Sequence, residues 1–232
     1  MMHSLPEGYR ALVIGASGAI GSALLQQLQH DPRCALALGV SRQSSPGLDL
    51  LNEESIAACA QALMAQGPFH LVLDATGALM VNGRGPEKRL DELDAAHLLA
   101  ALQLNAVGPG LLLKHWVPLL ASGQRVIWGK LSARVGSIED NRKGGWYGYR
   151  AAKAALNMLL QTTTIEVARR RPLAVVAALQ PGTVQSALSQ PFVGGDAMRP
   201  EEAAQRLLTV LDALQPTGRA LFVDHQGQSI PW

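Results

Sequence analysis

The stretch ALVIGASGAIGSALLQQLQH (residues 11–30) decides the fold. Its first residues form a short apolar run of the kind that makes a buried strand, and SALLQQLQH carries apolar residues at helical spacing. Between them lies GASGAIG, a turn too rich in glycine to belong to either element. A strand that passes through a tight turn directly into a helix opens a βα unit, and the same alternation runs to the far end of the chain. ALALGV (35–40) reads as a second strand, ESIAACAQALMAQ as a helix and HLVLDATG (70–77) as a third strand. A long helical region from about Leu90 to Leu120 precedes the strand RVIWG (125–129), and a helix follows GGWYGY. LAVVAALQPG (173–182), the helix EEAAQRLLTVLDAL and the strand RALFVDH (219–225) complete the series. Strands separated by helices predict one doubly wound, Rossmann-like α/β domain over residues 1–232, a parallel sheet with helices on both faces. Ligands in such folds bind beyond the carboxyl ends of the strands, so the loops after strands are where chemistry is expected.

Composition agrees with a single globular unit. The 232 residues are 48% hydrophobic and 16% charged, enough apolar material for a core and too little charge for a disordered chain. A formal net charge of +2 does not suggest a nucleic-acid partner. The longest basic run, Arg169–Arg171, is expected to be the solvated end of a helix. Cys34 and Cys59 stand alone in apolar segments, which suggests buried thiols in a reducing compartment. MMHSLPEGYR lacks the apolar core of a signal peptide, and no apolar run is expected to reach transmembrane length. A cytoplasmic protein without a membrane partner is therefore expected. The histidines are scattered, with neither HExxH nor Cys/His pairing, so no metal is expected.

The glycine turn points to a ligand. Gly15, Gly18 and Gly21 allow a tight turn, close approach of the backbone to a diphosphate and close packing of helix on sheet. The amides at the start of the following helix then face the anion. Gly15, Ser17, Gly18, Ala19, Ile20 and Gly21 are accordingly expected to hold a dinucleotide. The end of the second strand offers Ser41 and Arg42 where an NAD site usually offers a carboxylate to the ribose 2′-hydroxyl; an arginine there suits a 2′-phosphate. NADP is expected, with NAD as the second choice. Asp49 and Leu50 are placed to flank the adenine, and Asp74, Ala75, Thr76 and Gly77 to line the cofactor from the end of the third strand. For Asp74 a turn or helix cap is the competing role.

Tyr149 and Lys153 supply the chemistry. A spacing of four in a helix puts both side chains on one face, one turn apart. A lysine cation beside a phenol lowers the phenol pKa, and such a pair can pass a proton to or from a substrate oxygen.

With these residues placed, the chain resembles the short-chain dehydrogenase/reductase family over nearly its full length. The glycine turn, DATG, Asn105 in LQLNAVGPG, a serine before the tyrosine, Tyr149-x-x-x-Lys153 and Pro181-Gly182 follow the family's order. SARVGSIEDNRKGGWYGYRAAKAALNM, QPGTVQSALSQPF and FVDHQGQSIPW are similar to the C-factor and sniffer-type carbonyl reductase subgroup. The resemblance implies that Tyr149 protonates a carbonyl oxygen as NADPH delivers hydride, and that Lys153 holds the nicotinamide ribose and depresses the tyrosine pKa. It implies that Ser132 hydrogen-bonds the substrate oxygen and that Asn105 anchors a water linking Lys153 to solvent. Pro181, Gly182 and Val184 would meet the nicotinamide.

The chain also departs from the family pattern. Its opening turn is G-x-x-G-x-x-G, DATG stands for an Asn-rich motif, and Ala152 precedes the lysine where serine is usual. Ser132 lies 17 residues before Tyr149 with Ala133 beside it, and Ser137, at 12, is the second candidate. Trp146 and Tyr147 are placed either to wall the substrate pocket or to pack beneath their loop, while Trp116 and Trp128 are expected in the core. Phe192, with Gly194 and Gly195, suggests a lid. The expected activity is NADPH-dependent reduction of a small aldehyde or ketone, in a chain that could self-associate. A C-factor-like nucleotide-binding signalling protein and an NAD-linked alcohol dehydrogenase are the alternatives.

Overall fold

A computed structural model describes residues 1–185 and 197–232. It contains one six-stranded sheet, ordered β2-β1-β3-β4-β5-β6 with every pair parallel. The strands are β1 (Tyr9–Ile14), β2 (Cys34–Val40), β3 (Leu71–Asp74), β4 (Val126–Leu131), β5 (Ala174–Gln180) and β6 (Leu221–Asp224). The helices are α1 (Ala19–Gln29), α2 (Glu53–Leu63), α3 (Ala95–Leu102), α4 (Gly108–Trp116), α5 (Tyr147–Arg170) and α6 (Pro200–Ala213). Every strand and helix expected from the alternation is present.

Successive strand residues point to opposite faces, so each apolar strand feeds two cores. Leu12, Val72, Trp128 and Val176 pack against Ile56 of α2, Leu112 and Trp116 of α4, and Leu156 and Leu160 of α5. Their neighbours Val13, Leu71, Ile127 and Val175 pack against Leu24 and Leu28 of α1 and Leu207 and Leu211 of α6. Strands buried on both faces read as continuous apolar runs, which is why the sequence showed them so clearly. Trp116 and Trp128 are core residues, as expected. So is Cys59, whereas Cys34 is only half buried.

Local signals set the helix ends. Asn52 caps α2 by accepting from the amides of Glu54 and Ser55, and Asp94 caps α3 through the amide of His97. Pro200 opens α6 with two glutamates behind it. Between α3 and α4 the chain makes a π turn over Gln103–Val107, with buried Asn105 at its centre. The expectation that no apolar run reaches transmembrane length needs correction. The combined helical run Ala95–Leu119 has 25 residues, and an 18-residue window within it reaches a mean hydropathy of 1.4 with 44% of that window buried, enough to span a membrane by length and composition alone. Its Leu112, Leu113 and Trp116 are core residues, which accounts for the apolar character without a bilayer. Arg171 corrects a second expectation, since its guanidinium donates to the carbonyls of Ala121 and Leu120 instead of ending solvated.

The chain leaves β1 for β2 on one side and then crosses to β3 on the other. The resulting crevice lies at the carboxyl ends of β1 and β3, where doubly wound sheets place their ligands.

Candidate active site

The crevice opens into a cleft of about 410 Å³. Gly15, Ser17 and Gly18 form one wall, Ser41, Arg42, Asp49 and Leu50 a second, and Ala75, Thr76 and Gly77 a third. Four stretches chosen from separate parts of the sequence thus meet in one cavity. Gly15 adopts φ +83°, and a Cβ there would stand 3.1 Å from the carbonyl carbon of Ala75. A Cβ on Gly21 would fall 2.2 Å from the Gly15 carbonyl oxygen, so α1 can sit against the turn only without one. Gly18 is the N-cap of α1; it provides no side-chain cap, and the first turn contains no acid. The helix therefore presents bare amides and its positive dipole end to the cleft, a cradle whose chemistry fits a phosphate.

The loop after β2 is tied by its own serines. Ser44 Oγ accepts from the Ser41 amide and shares its single proton between the carbonyls of Ser41 and Pro46, at 2.8 and 2.7 Å. Arg42 stays exposed at the cleft wall and forms no ion pair among the described residues. Asp49 accepts from the Leu51 amide at 3.0 Å and so fixes the turn that carries Leu50.

Asp74 is turned away from the cleft. It is 1% exposed and pairs with Lys130 of β4 at 2.9 Å, on the α5 side of the sheet. Its Oδ1 also accepts from the Thr76 amide, so the turn-capping role weighed for it is the one present. The cleft wall is supplied by the three residues that follow.

Tyr149 and Lys153 lie in the first two turns of α5 on one face, with Lys153 Nζ 5.5 Å from the tyrosine ring centroid. Lys153 donates to the Leu131 carbonyl at 3.2 Å. Gly77, at φ +128°, separates it from Asn105: a Cβ there would lie 3.3 Å from Lys153 Nζ and 3.0 Å from Asn105 Oδ1. Asn105 accepts from the Ala78 amide and donates to the carbonyls of Ala78 and Ala101, clamping the segment after Gly77 to the π turn. The site therefore brings Tyr149, Lys153, Asn105 and Gly77 together. The side-chain groups of Asn105 are bonded to backbone, not to Lys153.

Electrostatics differ from the simple expectation. Burial pushes the Tyr149 phenol up to about 12, and no depression by Lys153 is felt. Lys153 is itself pushed down to about 7, by burial first and by the charge of Lys130 second, while Asp74 pulls the other way. A lysine driven toward its neutral form is a weak stabiliser of phenolate.

The serines are not aimed at the tyrosine. Ser132 Oγ donates to Asn157 Oδ1 at 2.7 Å within the core. Ser137 Oγ accepts from the Asp140 amide and donates to the Trp232 carbonyl. Neither hydroxyl bonds Tyr149 among the described residues. The Pro181–Val184 loop leaves β5 and is braced by Met198, whose amide donates to Thr183 and whose carbonyl accepts from Gln185. Gly182, at φ +82°, lies over the ring of His225. The lid expected around Phe192, Gly194 and Gly195 lies outside the described residues. Trp146 meets the Tyr149 ring edge-on at 6.2 Å between centroids.

Glu87 has a part at the site that no motif in the sequence announces. Glu87, 2% exposed, accepts from the Gly148 amide through Oε2 at 2.9 Å, and its carbonyl accepts from the Trp146 amide. Trp146, the N-cap of α5, sits at φ +56° and gives no side-chain cap, so Glu87 supplies one from 61 residues away. His97 Nε2 faces the other carboxylate oxygen at 3.9 Å. The missing cap before GGWYGY was the available sign that a cap had to come from elsewhere.

No protein-family model matches the chain. It is 33% identical over 145 residues to the C-signal of Myxococcus xanthus, covering 62% of this chain and 83% of that protein. It is 29% identical over 234 residues to 1-hydroxy-2-glutathionyl-2-methyl-3-butene dehydrogenase of Rhodococcus sp. (strain AD45), covering 95% and 98% of the two chains. The carbonyl reductase Sniffer of D. melanogaster shares the fold with a TM-score of 0.81 at 20% identity, covering 97% of this chain and 99% of that one. An NADPH-bound carbonyl reductase from chicken fatty liver gives a TM-score of 0.84, also at 20% identity, with 99% and 97% covered. The chain belongs to the short-chain dehydrogenase/reductase family.

Proposed function

We propose that this protein is an NADPH-dependent oxidoreductase that reduces an aldehyde or ketone to an alcohol. The observation that carries the reading is the Tyr149–Lys153 pair on one face of α5, with Lys153 beside Gly77, a residue that lines the cleft opening on the bare amides of α1. The glycine cradle and α1 would hold the diphosphate, Arg42 the 2′-phosphate and Lys153 the nicotinamide ribose. NADPH supplies the hydride when bound. Tyr149, whose burial keeps its proton at neutral pH, donates that proton to the substrate oxygen. Lys153, whose ammonium releases a proton near neutral pH, then returns a proton to the phenolate.

The test is NADPH oxidation by purified protein against a panel of aldehydes and ketones. Tyr149→Phe should lower kcat by roughly 100- to 10,000-fold, the range of a lost general acid, with NADPH affinity unchanged. Wild-type turnover in that variant would overturn the mechanism.

A second reading is favoured by the serine geometry and by the likeness to C-signal. With both hydroxyls bonded elsewhere, the protein would bind the dinucleotide and turn over little, acting as a nucleotide-dependent signalling protein. Tight NADPH binding with no turnover across the panel would select it. Preference for NADH with an alcohol would instead select the dehydrogenase direction.

A further inference from the structure

Lys130 has no part in the chemistry described so far, yet it is fully buried near the reaction centre. Val126, Trp128 and Lys130 alternate along β4 and face the side covered by α4 and α5, so an ammonium stands where two core residues precede it. Its Nζ donates to Asp74 Oδ1 at 2.9 Å, the Thr76 carbonyl at 2.7 Å and Thr76 Oγ1 at 3.1 Å. Thr76 lines the cofactor cleft, and the next residue, Gly77, lies against Lys153. Lys153 in turn donates to the carbonyl of Leu131, the residue after Lys130. The two lysines thus interlock across the ends of β3 and β4, each reaching the segment beside the other.

A buried ion pair is a poor device for stability alone, because apolar residues of similar volume often serve as well or better. Its position gives it another use. The charged or titratable groups facing Lys153 are Asp74 from β3, Lys130 from β4 and Tyr149 on its own helix, while the π turn presents neutral Asn105. Glu87 and His97 are engaged with the helix start and with each other. We propose that Lys130 is a positioning residue for the reaction centre. Its ion pair with Asp74 anchors the Thr76–Gly77 wall and sets the charge around Lys153. The direction found for Lys153, lowered by Lys130 and raised by Asp74, agrees with this placement.

The proposal rests on Lys153 being a proton-transfer group, and a readout independent of turnover keeps the two apart. The chain has five lysines, so NMR titration of protein labelled at the lysine Cε carbons can follow each one, with Lys153→Met assigning its signal. Lys130→Met alone leaves Asp74, and Asp74→Asn alone leaves Lys130, buried without a counterion. Asp74→Asn is therefore read beside the double variant Lys130→Met/Asp74→Asn, which removes both charges and by itself keeps the test decisive; in both the Asn oxygen can still accept from the Thr76 amide. Asp74→Asn should move the Lys153 titration down by roughly half a pH unit or more, and the double variant should move it above wild type. If NADPH oxidation is found, the matching limb of its pH profile should shift in the same two directions. A Lys153 titration that stays in place, or moves the same way in both variants, overturns the proposal whether or not the protein reduces carbonyls.

Discussion

Helices α1 and α5 follow strands of the same sheet, yet their N-termini are finished in opposite ways. α1 begins at Gly18 with neither a side-chain cap nor an acidic residue in its first turn, and its amides open on the cleft. α5 also receives no cap from its own first residue, but a buried carboxylate from the loop before α3 occupies its end. The physics is the same at both ends: unpaired amides and a positive dipole attract an anion. In α5 the protein provides that anion and fixes the turn carrying Tyr149. In α1 it withholds one, leaving the amides for a phosphate.

The comparison can be broken most severely by giving α1 a cap. Gly18 has φ −77° and ψ 160°, and a Cβ there meets only the Gly15 carbonyl oxygen at 3.4 Å, so Gly18→Asp fits and matches N-cap geometry. The new carboxylate should bond the α1 amides and repel a phosphate. Like charges about 4 Å apart at a partly buried site cost about 4 kcal/mol, so NADPH affinity should fall roughly 100- to 1000-fold by calorimetry. Thermal stability should hold or rise. Gly18→Asn, an uncharged cap, should fall between. Unimpaired binding in Gly18→Asp would mean that the phosphate lies elsewhere.

Removing the cap from α5 is the converse and should act less strongly. Glu87→Ala leaves the Gly148 amide buried without a partner, at about 1–3 kcal/mol in stability, and should lower kcat roughly tenfold as the Tyr149 turn loosens. Glu87→Gln keeps an acceptor oxygen at the same place and should stay near wild type in kcat and melting temperature. Equal damage in both variants would show that the charge, not the acceptor, matters. The smallest expected effect is at the cleft rim. Arg42→Ala should weaken NADPH roughly tenfold, about one hydrogen bond to a charged group at an exposed site, and leave NADH unchanged. An unchanged NADPH/NADH ratio would remove Arg42 from the 2′-phosphate.

These differences also mark what could be read from sequence. The alternation of strands and helices was plain because a strand buried on both faces must be apolar throughout, as in ALVI and LAVVAAL. The cleft was legible because tight turns after parallel strands require glycine, and Tyr149 and Lys153 because helical spacing is fixed. Side-chain aim was not legible. Ser132 faces the core and bonds Asn157, and no motif records which side of its strand end the hydroxyl takes. Nor does local pattern connect Glu87 with Gly148, since long-range capping leaves only an absence at the helix it serves. Lys130 did leave a sign: an inward position in an apolar strand holding a charge implies a buried counterion, and Asp74 was the acid at the neighbouring strand end.

The π turn at Asn105 also constrains the gene that encodes it. One residue more than a regular helix would use is lodged between α3 and α4, and it brings Asn105 to the Gly77–Ala78 segment while α4 keeps its apolar face in the core. Insertions and deletions are ordinarily tolerated in loops and harmful inside helices. Here losing a single codon would repair a helix and unfasten the wall beside Lys153. The length of this segment is therefore held by the site, not by the fold.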